Sequence, residues 1–463
     1  MLNLFIVGIL IINYLFSGTN LEAFSAFVRD ASGLRKGWNL YMKYKAEALD
    51  LLNYLTLSVN EPLMRYRIDL FEHLDETVFV QAVTRSMDTF PLIRCGFRES
   101  RIKPYWEEKD LTGKDIVTVR EDSNVNEQIK RTMTLTTIDY YNGPQLKIII
   151  VRSVESDTLC FIINHMICDG AGFTQYLKIL GELYSAIKKN ISLPVAPFCP
   201  RDLKPLLTGK RLKEIIDILR TENEILASID SEKQYGVTFD KHCDKPNMMT
   251  RSISAEQLAK LKCFGKTRNA TLNDILMTLY ARSLCKNMES ESLILFTLMN
   301  LRKLIPTDKH LGICNCSTIC KCIVSVKTED VFDGTLRQIS EQMTYYKTGK
   351  IALKDVIGWD ILAHVFPFII LKRYCFKNVK PPIVTFSNVG ILESRFGDLA
   401  IKNAYITASV KRSPFFEIVL STCQDRCTLT SNFYGDDDYI GWVNRFFDDI
   451  FVEIEHIEHI NID

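Results

Sequence analysis

The spacing of hydrophobic residues predicts strands alternating with helices in the first third of the chain. Met64–Phe71 is a strand-like run, and Asp75 can cap a helix whose apolar residues recur at helical spacing (Val78, Ala82, Val83 and Met87). This helix should end at Phe90, because the residue before a proline avoids helical geometry. Lys147–Arg152 and Thr158–Ile163 are two apolar, β-rich runs with a short polar join, which predicts a hairpin or neighbouring strands.

The hydrophobic period changes after Gly170 and predicts a helix there, marked by Phe173, Leu177, Leu180, Tyr184 and Ile187. A stretch with Pro194, Pro197, Pro200 and Pro205 follows, then a charged segment to Lys245, which together predict a crossing between two lobes. Beyond it, Met248–Ile253 predicts a strand, and Ser254 with Gln257 predicts a capped helix. The expected divisions are an extension (1–41), a first lobe (42–194), a crossing (195–247) and a second lobe (248–463).

Three further segments have residues that could take part in ligand, membrane or metal binding. Trp359–Phe376 is apolar and aromatic; it suits a tunnel wall or a membrane contact, but a core helix interrupted by Pro367 is the more ordinary interpretation. Asp436–Asp438 is expected to be a solvated turn, since its spacing does not match the alternating oxygen ligands of calcium loops. Cys314, Cys316, Cys320 and Cys322 are the one candidate metal cluster, but their spacing lacks the paired ligands usual in zinc sites, and no metal is expected.

Composition narrows the class of protein. A chain of 463 residues can build two domains, and its 57 basic and 56 acidic residues give no general attraction to nucleic acid. Most of the fourteen cysteines lie in apolar runs, which favours a reducing compartment and a cytoplasmic location. Leu4–Phe16 is apolar, yet it is short for a spanning helix and lacks the preceding positive charge of a signal peptide. A weak signal or anchor, a packed helix and an upstream extension all stay open, and membrane contact is expected only through this segment.

The residues with the clearest chemistry lie where a strand gives way to a helix. His165 follows the apolar run Phe161–Ile163, and Asp169 with Gly170 opens the next helix, so His165 should sit in the intervening turn. A histidine there suits general-base work, because its unperturbed pKa lies near neutrality. Cys168 is a weaker candidate nucleophile, since a neighbouring carboxylate disfavours its thiolate. A purely structural histidine is the bland alternative.

Residues 164–170, Asn-His-Met-Ile-Cys-Asp-Gly, resemble the His-His-x-x-x-Asp-Gly signature of the CoA-dependent acyltransferase superfamily, with Asn164 in place of the first histidine. This superfamily includes condensation domains, polyketide-associated acyltransferases, alcohol acetyltransferases and the BAHD enzymes, and the BAHD branch manages with His-x-x-x-Asp alone. Other similar segments follow in the same order as in the family: Asp88–Phe97 with its Pro-Leu-Ile-Arg, Ala270–Asp274, Asn300-Leu301-Arg302 with Leu311-Gly312, and Ser387-Asn388-Val389-Gly390.

The resemblance implies an α/β (α+β) fold of two chloramphenicol-acetyltransferase-like lobes forming a V-shaped pseudodimer, with the active site between them. It implies that His165 is the catalytic base, that Asp169 and Gly170 support the site, and that Arg94 pairs with Asp169. Ser387 and Asn388 are candidate oxyanion donors, although capping a strand end is an equally good role for them. Asn300 and Arg302 should lie near the shared tunnel.

The expected function is transfer of an acyl group from a thioester to an alcohol or amine. The co-substrate would be acyl-CoA or a phosphopantetheine thioester, with no permanently bound cofactor. One alternative is a free-standing condensation enzyme that works with an acyl or peptidyl carrier protein. The other is a catalytically silent scaffold of the same fold that binds a ligand. Acyl chain length and acceptor identity do not follow from the sequence.

Overall fold

The computed structural model of the chain describes residues 42–57, 61–121, 124–192, 198–221, 236–307, 309, 311–326, 331–378 and 381–459. Its strands are β1 (Lys43–Lys45), β2 (Leu63–Leu70), β3 (Cys95–Arg98), β4 (Tyr105–Glu108), β5 (Val117–Glu121), β6 (Leu146–Arg152), β7 (Asp157–Asn164), β8 (Pro246–Ile253), β9 (Ser292–Asn300), β10 (Ser317–Ser325), β11 (Val384–Ile391), β12 (Arg395–Phe396), β13 (Leu399–Thr407), β14 (Phe416–Cys423) and β15 (Arg426–Tyr434).

The helices are α1 (Ala48–Leu55), α2 (Glu76–Thr89), α3 (Gly113–Ile116), α4 (Val125–Leu135), α5 (Gly170–Lys188), α6 (Leu212–Arg220), α7 (Ala255–Thr267), α8 (Leu272–Asn287), α9 (Phe332–Lys347), α10 (Lys350–Val365), α11 (Phe368–Asn378) and α12 (Asp437–Glu458). The predicted mixture of helices and strands is confirmed.

The first large sheet has the strand order β12-β13-β2-β7-β6-β5. Strands β6 and β7 form the predicted antiparallel hairpin, and β7 also pairs antiparallel with β2. Helices α2 and α5 pack on one face of this sheet, where Phe79, Phe161 and Phe173 are fully buried. Every residue of β7 is buried, which matches a central strand covered on both faces.

The second large sheet has the order β10-β9-β11-β14-β15-β8. At its centre β11 pairs in parallel with both β9 and β14. Helices α8 and α12 cover one face, where Tyr280, Phe416 and Phe446 form a cluster of packed rings. The opposite face looks toward the first sheet, so the space between the two sheets is lined by residues from both.

The chain leaves the second sheet after β11, adds β12 and β13 to the first sheet, and returns in β14. The predicted division at residue 248 remains a prediction. Within 248–463, however, the strands 395–396 and 399–407 pair within the first sheet, so this part of the chain contributes to both sheets. Strand pairing across more than 200 residues is decided by tertiary packing, which local sequence patterns do not report.

Several local predictions are confirmed. The Asp75 carboxylate accepts a hydrogen bond from the Val78 backbone and caps α2, and Ser254 exchanges hydrogen bonds with Gln257 at the start of α7. Pro367 separates α10 from α11, and Phe368 beyond it is buried in the core. The acidic run is exposed to solvent as predicted, but it does not form a turn: Asp436 caps α12, where its carboxylate accepts from the Tyr439 backbone, and Asp437 and Asp438 open the helix.

The apolar segment Leu4–Phe16 and the extension 1–41 lie outside the described residues, as do Pro194, Pro197 and part of the charged segment (222–235). Among the helices that are described, none combines the length and apolar character needed to cross a bilayer.

Candidate active site

His165 stands on a short turn between a buried strand and a helix, as predicted. Strand β7 ends at Asn164 and α5 begins at Gly170, and the 165–169 turn (residues 165–169) joins them. The half-buried His165 lines a cavity of about 280 Å³ between the two large sheets. Ser387 of β11 and Val419 of β14 line the same cavity from the other side. The turn therefore presents an imidazole to a half-enclosed cavity that residues of both sheets line.

The backbone of the 165–169 turn is held by hydrogen bonds to two other segments of the chain. The His165 N–H donates to the carbonyl of Pro62 at 2.7 Å. The Asn315 side-chain amide donates to the carbonyls of His165 and Met166 at 3.0 and 2.9 Å. Because both peptide groups beside the imidazole are fixed, the ring is presented from a rigid support.

The two ring nitrogens of His165 have different surroundings. Nδ1 is buried and has no hydrogen-bond partner among the described residues. That leaves Nε2 as the ring nitrogen for exchanging a proton with a substrate in the cavity. Within the same residues no carboxylate orients the ring, so the arrangement differs from a Ser-His-Asp triad.

Asp169 is buried and all of its hydrogen bonds are to protein. One carboxylate oxygen accepts from the Gly172 backbone at 2.8 Å and caps α5. The other accepts from Arg302 Nη1 at 2.9 Å and from the Cys316 backbone at 2.8 Å. Asp169 thus ties the turn to the segment after β9, across the gap between the lobes, and has no oxygen left over for substrate chemistry.

The predicted pairing of Arg94 with Asp169 is wrong; the partner of Asp169 is Arg302. Arg94 pairs with Glu108 at 2.7 Å and lies 3.9 Å from Asp88. The cause is strand register: β3 pairs with β4 so that Cys95 lies opposite Glu108, which puts this carboxylate next to Arg94.

The Arg302 guanidinium also donates to the Cys314 carbonyl at 2.7 Å. Burial opposes its charge, but the Asp169 carboxylate outweighs burial and raises the pKa of Arg302. The Arg302 guanidinium therefore stays charged where the lobes meet.

Two glycines allow the close approach at the start of α5. A Cβ atom at Gly170 would lie 3.3 Å from a methyl group of Val389, and one at Gly172 would lie 2.8 Å from the Cys314 carbonyl oxygen. A side chain at Gly172 would therefore push apart the segments that Asp169 and Arg302 hold together.

Asn164, which replaces the first histidine of the family signature, has a structural role. It is fully buried and donates from Nδ2 to the Gln145 side chain at 2.7 Å. Its Oδ1 accepts from the Met166 backbone at 3.0 Å. The Asn164 amide thus binds both neighbours and braces the turn on which His165 stands.

A second buried ion pair supports the turn from below, and the sequence analysis did not identify it. Arg201 binds Asp50 with two hydrogen bonds of 2.9 and 3.0 Å, and these side chains are only 3% and 1% exposed. The same guanidinium donates to the carbonyls of Ile167 and Ile313 at 2.7 and 3.0 Å. The sequence did contain one indication of this pair, because Asp50 is a charged residue within the apolar pattern of α1.

Cys168 is poorly suited to act as a nucleophile. Its side chain is fully buried, and burial together with the Asp169 carboxylate raises the pKa of its thiol well above the ordinary value. Cys320 and Cys322 lie on β10 and are buried. Within the described part of the chain, no group of three or more His, Cys, Asp or Glu side chains is arranged to hold a metal ion.

The other predicted site residues, Ser387, Asn300 and Asn388, all line the cavity but differ in their hydrogen bonds. Ser387 is buried and lines the cavity, and Asn300 lines it while its Oδ1 accepts from the Arg302 backbone at 3.0 Å. Asn388 also reaches the cavity, but its side chain donates to Asn273 and accepts from the Gly390 backbone. It lies within β11, where the register with β14 shifts, and not at the end of the strand. Sequence reasoning missed Thr407, a residue of the cavity wall whose buried hydroxyl has no hydrogen-bond partner among the described residues.

No protein-family model and no curated protein sequence matches the chain. Solved structures do match it over nearly their full length. The trichothecene 15-O-acetyltransferase from Fusarium sporotrichioides superposes with a TM-score of 0.66 at 12% identity, covering 88% of this chain and 95% of that one. The epimerization domain from the third module of tyrocidine synthetase B gives 0.62 at 12% identity, covering 92% and 99%. The first condensation domain of the CDA synthetase gives 0.64 at 12% identity, covering 90% and 97%.

The chain has the fold of these acetyltransferase, epimerization-domain and condensation-domain structures. The predicted architecture of two chloramphenicol-acetyltransferase-like lobes is thereby confirmed. At 12% identity these likenesses concern the fold alone. Proteins that share one fold can catalyse different reactions, so the function has to be argued from the residues of the site.

Proposed function

We propose that this chain is an acyltransferase in which His165 acts as the general base. The observation that carries the proposal is the position of His165: its imidazole lines the cavity between the lobes while the rest of the 165–169 turn is bound to protein. The likeness to an acetyltransferase and to a condensation domain supports acyl transfer as the class of reaction.

The chemistry needs no covalent enzyme intermediate. A hydroxyl or amine of the acceptor attacks the thioester carbonyl while His165 Nε2 takes its proton. The tetrahedral intermediate then collapses, the carbon–sulfur bond breaks, and the imidazolium returns the proton to the thiolate. The products are an ester or amide and a free thiol. The hydroxyl of Ser387 and the amide of Asn300 are the proposed donors to the oxyanion, since both residues line the cavity.

Thiol release from a panel of acyl-CoA donors, each offered alcohol and amine acceptors, tests the proposal. His165→Ala should lower turnover by about 10²–10⁴-fold, the usual contribution of a general base. His242→Ala is the matched control, because His242 is an exposed histidine outside the cavity. Native-like turnover by His165→Ala, at a rate equal to that of the control, would remove His165 from the mechanism.

A donor carried on a protein is the second candidate, favoured by the likeness to a condensation domain. The same assay decides it when the acyl group is offered on a phosphopantetheine-bearing carrier protein. Turnover with the carrier-bound donor and none with acyl-CoA would assign the chain to carrier-dependent condensation.

A further inference from the structure

One side of the cavity carries a row of polar side chains. We call it the polar track, and it consists of Thr385, Thr407, Ser409, Lys411 and Glu417. Thr407 is the last residue of β13, and Ser409 and Lys411 follow it closely along the chain, so the three belong to one short stretch of the cavity wall. The rest of the lining is mixed: Leu63, Met64 and Leu298 are among its apolar residues, and polar groups stand beside His165. The two other carboxylates in the lining are already paired, Glu61 with Arg65 and Asp169 with Arg302.

An ion pair lies within the polar track. Lys411 Nζ is 2.9 Å from the Glu417 carboxylate, and these side chains are only 13% and 11% exposed. Removing two charges from water is costly, and an apolar pair of similar volume would often be as stable. A desolvated ion pair in a cavity wall is therefore better explained by recognition than by stability.

The pair lies some distance from the 165–169 turn along the sheet. Val389 of β11 abuts Gly170 at the start of α5. On the same strand Thr385 lies opposite Glu417 in the register with β14. Four residues of strand correspond to about 13 Å, so the ion pair sits well beyond the reacting groups but in the same cavity.

The charges within the polar track limit what it can bind. Lys411 and Glu417 cancel, so a ligand with a net charge would leave that charge unbalanced in a half-enclosed space. An ammonium offers only donors and a carboxylate only acceptors, whereas a hydroxyl supplies both and can satisfy both members of the pair. The unpartnered Thr407 hydroxyl adds a further buried group that a polar ligand would satisfy.

Resting on the proposed function, we propose that the polar track selects a neutral acceptor that carries a second hydroxyl on an apolar frame. The reacting hydroxyl lies at His165, the apolar part lies against Leu63 and Leu298, and the distal hydroxyl binds between Lys411 and Glu417. Such an acceptor matches the cavity along its length, whereas a simple alkyl alcohol leaves the polar track unsatisfied.

Binding of 1-hexanol and 1,6-hexanediol to the full chain, measured by ligand-observed NMR, tests the inference without requiring turnover. The readout is the dissociation constant for hexanol divided by that for hexanediol. In Lys411→Met/Glu417→Leu, which leaves no unpaired charge, this ratio should fall about tenfold through loss of a charge-assisted hydrogen bond. Thr407→Val should lower it as well, and decides the question should the double variant not fold.

The matched control is Lys245→Met/Asp437→Leu, which removes an ion pair whose members are 59% and 91% exposed. Its ratio should equal that of the native chain. An unchanged ratio in both cavity variants, or tighter binding of 6-hydroxyhexanoate than of hexanediol, would overturn the inference.

Thiol release from acyl-CoA with hexanediol separates the two proposals. Selective diol binding without release for any donor would contradict the proposed function and leave the polar track as a binding site. Release from acyl-CoA with an unchanged binding ratio in the variants would contradict the polar track alone.

Discussion

Replacing Arg201 by methionine tests whether the buried ion pair beneath the 165–169 turn supports the site. The guanidinium makes four hydrogen bonds: two to Asp50, one to the Ile167 carbonyl and one to the Ile313 carbonyl. Methionine keeps most of the apolar stem and makes none of these bonds. The substitution also leaves the Asp50 carboxylate buried without a cation, with donors from Trp106, the Glu47 backbone and, at 3.5 Å, the Asn315 amide.

The expected loss of stability follows from that unpaired carboxylate. Hydrogen bonds to a charged group contribute about 1.5–3 kcal/mol each, but contributions within one network do not add. Removing one partner of a buried ion pair costs about 3–5 kcal/mol, and we take this range for Arg201→Met. Arg201→Met/Asp50→Asn should lose less than the single variant, because no buried charge is left unpaired.

Urea denaturation followed by circular dichroism measures the difference, with Lys245→Met as the control for an exposed ion pair. The control should lose less than about 1 kcal/mol. Turnover of Arg201→Met should also fall, since the Ile167 carbonyl lies within the 165–169 turn. A loss of stability no larger than that of Lys245→Met would refute the view that the pair holds this turn.

Three other outcomes are expected. Gly172→Ala should lower the denaturation midpoint and turnover together, because the new Cβ would lie 2.8 Å from a carbonyl oxygen. Gly334→Ala is the control, because a Cβ there would have no atom within 4 Å; it should leave turnover unchanged and gain at most about 1 kcal/mol in stability. Burial would raise the pKa of Asp157, but hydrogen bonds with Arg152 lower this pKa overall. The ionised carboxylate therefore stabilises the fold at neutral pH, and this stabilisation is lost on acidification below about pH 4. The difference in unfolding free energy between the native chain and Asp157→Asn should shrink in that range. Cys168→Ala should keep most of its thiol-release activity; a loss as large as that of His165→Ala would contradict the mechanism.

The sequence predicted local structure well where the signal lies within a few residues. Asp75 and Ser254 cap helices because their side chains bond the backbone three residues on, and the β6–β7 hairpin follows from two apolar runs with a short join. The strand-turn-helix setting of His165 was predicted on the same basis. The Asp436 cap was missed although the helical spacing of Trp442, Phe446 and Ile450 follows it.

The parts that could not be predicted depend on contacts between distant segments. Arg94 and Arg302 are both arginines in family-like segments, and only the pairing of β3 with β4 gives Arg94 another partner. The transfer of β13 to the first sheet and the meeting of Arg201 with Asp50 likewise bring together residues more than 150 positions apart. Such pairings depend on the packed fold and have no local signature.

Turnover of an acyl thioester by the native chain and by His165→Ala, measured side by side as free-thiol release, tests the central claim most directly. The account predicts acceptor-dependent release by the native chain and a fall of about 10²–10⁴-fold in the variant, with His242→Ala at the native rate. Equal release by His165→Ala and the native chain would contradict it.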